Sequence, residues 1–277
     1  MQIKNFPQKT TRNEADLILI QDAATGAYMH MTVADFLKDL GSVLTPSEPT
    51  FPIPNAFRIS ASGLSFNDGA LIDTVADLSG KGFVCNAAIN NKPIFKTNVV
   101  NSKPAILFSG NQYFDLQNQP IIPTSSNFVI ISVIRPTGFG VIWGGGGQTT
   151  NTWGIRQQVD ISYVVVGSGL VTGDHVNVEV NTNAIILWGR INNEWIAYKN
   201  NGNRVSGGIN SGTIRGSSSS YLQRWIIGGM YFDGVPQSFY NGYLFDLTLL
   251  INPSANDINS VGKYYADYYS ITWVNFG

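Results

Sequence analysis

The chain has 277 residues, 43% hydrophobic and only 13% charged, with a net charge of −1. That length suits one large β domain with a small appendage, or two ordinary domains. The sparse, balanced charge argues against electrostatic capture of nucleic acid or of an anionic membrane. Plentiful glycine beside scarce Lys and Glu favours short strands and turns over a helical bundle.

From the N-terminus, "MQIKNFPQKTTRNEADLI" lacks the apolar core of a secretory signal, so export by that route is not expected. "DLILI" (16–20) predicts a strand, "QDAATGA" (21–27) a turn and "AYMHM" (27–31) a returning strand. Thr32 then opens "TVADFLKDLG", where Thr32 with Asp35 resembles a capping box. Val33, Phe36, Leu37 and Leu40 share one helical face, and Gly41 can close the helix. A hairpin and helix over residues 1–45 cannot hold a core alone. Leu17, Ile18, Met29, Val33, Phe36, Leu37 and Leu40 are therefore the expected attachment or oligomer contacts. "TPSEPTFPIPNAF" (45–57) carries four prolines and predicts a semi-rigid linker, placed at 46–55.

Residues 56–277 alternate strand candidates with turn signals. The strands expected are 104–110, 112–116, 127–136, 140–143, 153–157, 160–167, 175–180, 184–191, 194–200, 223–230 and 242–251. "KNNGNRV" (199–205) reads as a hairpin turn about Asn-Gly. Some strands alternate and others are apolar on both faces, which fits a two-sheet sandwich. "WGGGGQTT" (143–150) reads as a loop between strands, since no Lys follows the glycines as a phosphate loop requires. Ser254 and Asp257 predict a cap for a closing helix, with Ile258, Val261, Tyr265 and Tyr268 as its apolar stripe. No apolar run approaches the roughly 20 residues that cross a bilayer.

Two stretches carry resemblances. "ADLSGKG" (76–82), "NKPIF" (91–95) and "NSKPAILFSGNQYFDL" (101–116) resemble the opening of bacterial and phage laminin-G-like, concanavalin A-like domains, and residues 240–273 resemble their closing strand, helix and tail. The resemblance implies a mainly β, antiparallel jelly-roll β-sandwich with a C-terminal helix over 56–277, a fold often used to recognise carbohydrate or protein. "NEADLILIQDAATGAYMHMTVADFLKDLG" resembles the short N-terminal attachment units of phage tail-fibre and related virion proteins, which commonly precede trimeric receptor-binding domains. Together they imply a homotrimeric receptor-binding protein of a phage tail or tail-like particle. Its partners would be other tail or baseplate proteins and a host surface glycan or protein.

The chemistry is weighed against that expectation. The four glutamates (Glu14, Glu48, Glu179, Glu194) form no paired-carboxylate pattern of a glycosidase, so a glycan-degrading enzyme is the alternative rather than the first reading. A ligand-free virion decoration protein is the other. Cys85 beside only two histidines reads as a core residue, and no zinc site is expected. Calcium would draw on Asp77, Asp174 and Asp233, which read better as solvated turn residues; no cofactor is expected. Ring-stacking candidates are Trp153, beside the glycine run, and Tyr231, with Asp174, His175 and Asp233 as polar neighbours in turns. Trp188, Trp195 and Trp225 sit in apolar strands and read as core or interface.

Overall fold

The computed structural model describes residues 17–21, 28–32, 50–116, 127–146, 153–158, 161–166, 169–176, 178–192, 194–207, 224–232 and 235–277. The chain divides into two compact units, Met1–Thr50 and Phe51–Gly277. In the first, β1 (Leu17–Gln21) pairs antiparallel with β2 (Tyr28–Thr32), so that Leu17 faces Thr32 and Gln21 faces Tyr28. This is the expected hairpin. The helix expected after Thr32, with Val33, Phe36, Leu37 and Leu40, lies outside the described residues.

The second unit is an antiparallel β-sandwich. Its strands begin with β3 (Phe57–Ser60), β4 (Thr74–Ala76), β5 (Val84–Ala87), β6 (Ile94–Val100), β7 (Lys103–Ser109), β8 (Phe114–Asp115) and β9 (Phe128–Pro136). There follow β10 (Gly140–Gly146), β11 (Trp153–Gln158), β12 (Ile161–Val166), β13 (Gly169–Val176), β14 (Ala184–Ile191), β15 (Glu194–Lys199) and β16 (Arg204–Gly207). The last are β17 (Arg224–Ile227), β18 (Met230–Phe232), β19 (Val235–Gln237) and β20 (Asn241–Ile251), before helix α1 (Ala255–Tyr269). Sheet one runs β13-β12-β11-β10-β17-β8-β5-β4, and sheet two runs β16-β15-β14-β9-β20-β7-β6 with β3 also paired to β20. β18 and β19 form a separate hairpin.

Strands apolar on both faces have two cores to fill. Along β9, Phe128, Ile130 and Ile134 enter the core between the sheets, whereas Val129, Ile131 and Val133 enter a second core under α1. β14 divides in the same way, with Ile186 and Trp188 on one side and Ile185 and Leu187 on the other. The period of two therefore stays intact inside a continuous apolar run. Each such side chain contributes about 1.5–3 kcal/mol on burial. α1 starts at the expected cap: the Ser254 hydroxyl accepts from the Asp257 amide at 3.2 Å, and the Asp257 carboxylate accepts from the Ser254 amide at 2.8 Å. Ile258, Val261 and Tyr265 of its stripe are buried, and Tyr268 is half-buried.

One irregularity controls the second core. The register of β20 against β9 shifts between Leu244 and Asp246. Leu244 and Leu247 face the sheet–sheet core, while Phe245 and Asp246 both face α1. Strict alternation would have driven the Asp246 carboxylate between the sheets; a bulge avoids that. Asp246, fully buried, instead accepts hydrogen bonds from Arg58 Nε (3.3 Å), Ser60 Oγ (3.0 Å), Tyr265 OH (3.4 Å) and Tyr269 OH (2.5 Å). Arg58 also lies 4.3 Å over the Phe51 ring. Phe51 and Ile53 thus pack on the helix core, and the sandwich unit already begins inside the proline-rich stretch.

Two sequence expectations are corrected by the ladder. The glycine run is not a loop at its start: Gly144, Gly145 and Gly146 belong to β10, paired with β11 on one side and β17 on the other. A side chain is excluded at Gly144, where a Cβ would stand 2.8 Å from Met230 Cβ. Gly147 and the residues up to 152 lie outside the described set. The strand expected at 175–180 instead spans Gly169–Val176, so Asp174 and His175 are strand residues, not turn residues. Pairing with β12 sets this register, His175 opposite Tyr163 and Val176 opposite Ser162. β13 is the edge of sheet one, where strands tolerate charged residues.

Candidate functional site

The ladder register places the expected site residues on several strands. Trp153 pairs with Gly145, which pairs across β10 with Trp225, at the end of sheet one that leads into the glycine run. Asp174 and His175 lie on the edge strand, and His175 shares a row with Tyr163 and Arg156, three residues along β11 from Trp153. Tyr231 sits in β18 opposite Pro236. Asp233 is outside the described residues. No strand pairing joins Trp153, the Asp174–His175 pair and Tyr231 directly. Trp143, Trp188 and Trp225 are core residues, as their strands implied.

Four segments meet at the opposite end of the sandwich: 88–91, 110–113, 137–139 and 237–239. The Tyr113 amide donates to the Asn91 carbonyl at 3.3 Å, and the Val141 amide donates to the Ser238 carbonyl at 2.7 Å. Phe239 bridges Val141, and a Cβ on Gly140 would collide with the Phe239 carbonyl oxygen. The Tyr113 and Phe239 rings stack, with centroids 5.7 Å apart and planes within 22°. Both are half-buried. The next residue, Tyr240, is fully buried, and burial holds its phenol well above its ordinary pKa. Phe239 is thus held at the surface by a buried neighbour on one side and a backbone bridge on the other. Phe139, 62% exposed, and Ile89, 86% exposed, lie in the neighbouring segments. Thr137 Oγ1 donates to Asn241 Oδ1 at 2.9 Å beside it.

Sequence reasoning passed over these residues. Tyr113 lies in an expected strand, and Phe239 in a stretch singled out for Tyr231. The available signal was a single aromatic ring set among Gly, Asn, Gln and Ser, as in "GNQYF", "TGFG" and "QSFYNG". Only the strand pairing brings these fragments together.

The remaining candidate groups have structural duties. Asp77 accepts from the Arg58 amide (2.9 Å) and the Ser79 amide (2.8 Å), fixing the "DLSGKG" turn. Cys85 is fully buried, and burial pushes its thiol pKa up. Among the described residues, no group of His, Cys, Asp and Glu is arranged to hold a metal ion.

Comparison with known proteins shows the fold. No family model and no curated protein matches the chain. A Trypanosoma rangeli sialidase mutant displaying trans-sialidase activity superposes over 93% of this chain with TM-score 0.54 and 13% identity. The chain spans only 43% of that sialidase. Domain 4 of an extracellular arabinanase from Geobacillus stearothermophilus, in complex with arabinotriose, is matched over 75% of this chain and 96% of its own length, with TM-score 0.53 and 12% identity. An α-L-arabinofuranosidase is matched over 74% of this chain and 52% of its own, with TM-score 0.51 and 13% identity. The chain therefore has a β-sandwich fold used within proteins of glycan chemistry.

Proposed function

We propose that this chain is a non-enzymatic receptor-binding protein of a phage tail or tail-like particle, whose sandwich recognises a cell-surface glycan. The observation that carries the glycan part is the extent of the arabinanase match. The sandwich corresponds to 96% of a domain that was obtained with arabinotriose bound, so a saccharide-holding domain of this fold needs no further catalytic body. The exposed Phe139 ring, in the segment beside the half-buried Tyr113–Phe239 stack, supports the same reading, because sugar rings pack on flat aromatic faces. The particle role rests on the resemblance of residues 13–41 to tail-fibre attachment units, with host glycan and tail proteins as partners.

A glycan-degrading enzyme is the second reading, favoured by the glycosidases among the structural matches. It requires two carboxyls about 5–10 Å apart across an accessible sugar. The buried Asp246 is committed to Arg58, Ser60 and two tyrosines instead. Incubating the chain with arabinan, sialylated glycans and host polysaccharide separates the readings. Retention of a glycan without new reducing ends supports recognition, and released product abolished by one Asp or Glu substitution overturns it in favour of the enzyme.

A further inference from the structure

We infer that Tyr113 and Phe239, extended by Phe139 and Ile89, form a ring-stacking subsite for an uncharged saccharide; this rests on the glycan-recognition reading above. Among the described residues, Ile89 (86%) and Phe139 (62%) are the two most exposed large hydrophobic side chains. Both fall at the end of the sandwich that holds the stacked pair. Exposed apolar surface concentrated in one place marks a contact site. The stacked Tyr113 and Phe239 rings cover one face of each other and form a firm base, and Phe139, 62% exposed in the adjoining segment, supplies the open ring face that suits the apolar side of a sugar. The strip is also fixed in advance. Tyr113 is tied to Asn91, the residue before Phe239 to Val141, and Tyr240 is anchored in the core. A preformed face loses little freedom when a ligand lands on it.

The absence of charge in the local sequence sets the ligand class. Segments 88–91, 110–113, 137–139 and 237–239 contain no Asp, Glu, Lys or Arg. Nearby Lys92 is ion-paired with Asp73. An acidic sugar would surrender hydration of its carboxylate here without gaining a cation, which is unfavourable. Neutral hydroxyls, by contrast, can bond to amide and hydroxyl groups such as those of Asn91, Thr137 and Asn241.

The test uses the full chain on an array of neutral oligosaccharides, arabinotriose among them, beside sialylated and uronic-acid glycans. The expected result is retention of neutral sugars with little dependence on salt, since no ion pair is involved. Tyr113→Ala and Phe139→Ala should each weaken binding about tenfold, the loss of one stacking contact. Phe139→Ala should leave thermal unfolding unchanged, so a weakened affinity cannot be ascribed to misfolding. Unaltered affinity in both variants would overturn this subsite and leave glycan recognition standing. Retention of acidic sugars alone would overturn the ligand class. Retention of no sugar would remove the recognition reading itself, and this subsite with it.

Discussion

At the scale of single residues, the close contacts decide what the sequence tolerates. Gly262 lies in the middle of α1, where Ala is ordinarily better by about 1 kcal/mol. Here a Cβ would enter the Trp273 ring, whose indole nitrogen donates to Asn259 Oδ1 at 3.2 Å. Gly262→Ala should therefore destabilise the fold by about 1–3 kcal/mol, because overpacking against a fixed ring outweighs helix propensity. Urea unfolding of the two proteins reads the difference directly. Cys85 gives a second residue-scale expectation. Buried completely and with its thiol pKa raised, it should resist a thiolate-specific reagent in the native protein and react in full once denatured. Rapid native labelling would show that this part of the core opens. The role of Cys85 as a small core residue could be read from sequence, since a lone thiol with two histidines offered no partner set. The Gly262 constraint could not, because Trp273 reaches it only after the chain turns back along the helix.

At the scale of elements, the Asp246 network is the main departure from simple patterning. β20 reads in sequence as one apolar strand, and it forms where expected, but the bulge that turns Phe245 and Asp246 to the same side leaves no sequence signature. The short strands β4 and β5 were not expected from the sequence, and β8 only as part of 112–116: they alternate over too few residues to show a period, and their pairing defines them. The glycine run was misread for a related reason. Its first glycine, Gly144, lies in a strand approached closely by Met230, a demand set by packing and not by turn chemistry. Asp246→Ala removes the carboxylate facing buried Arg58 and should cost about 3–5 kcal/mol, whereas Tyr269→Phe, losing one donor to a charged group, should cost about 1.5–3 kcal/mol. Denaturant titration of each variant checks the order. The same network dictates behaviour at high pH. Burial first, and then the Asp246 charge, raise the phenol pKa values of Tyr265 and Tyr269. The folded chain holds these protons more tightly than the unfolded one, whose tyrosines ionise near pH 10. The stability linked to them is complete below about pH 10 and is lost as pH rises above it. Thermal unfolding followed against pH should fall on that side, and tyrosinate absorbance from these two residues should appear only with unfolding.

At the scale of the whole molecule, the question is how two units divide the work. The sandwich has its own cores, an anchored start at Phe51 and a closing tail in which Asn259 holds Phe276 through both backbone groups, at 2.7 and 2.8 Å. Cutting after Thr50 removes none of these contacts. A chain of residues 51–277 should therefore fold and unfold cooperatively by itself, and Phe51→Ala within it should lower the unfolding temperature by removing the ring beneath Arg58. The N-terminal unit, too small to hold a core alone, has a different expected role: joining copies of the chain. If it does so, the full chain should run as a trimer in light scattering at micromolar concentration and the 51–277 chain as a monomer. The two forms should bind one immobilised glycan molecule at a time equally well, because the sandwich carries the subsite. On a dense glycan surface they should differ by about 10²-fold or more, because linked sites rebind at high effective concentration. A monomeric full chain would place attachment elsewhere. Equal retention of both forms on the dense surface would mean that the three sites cannot reach one surface together.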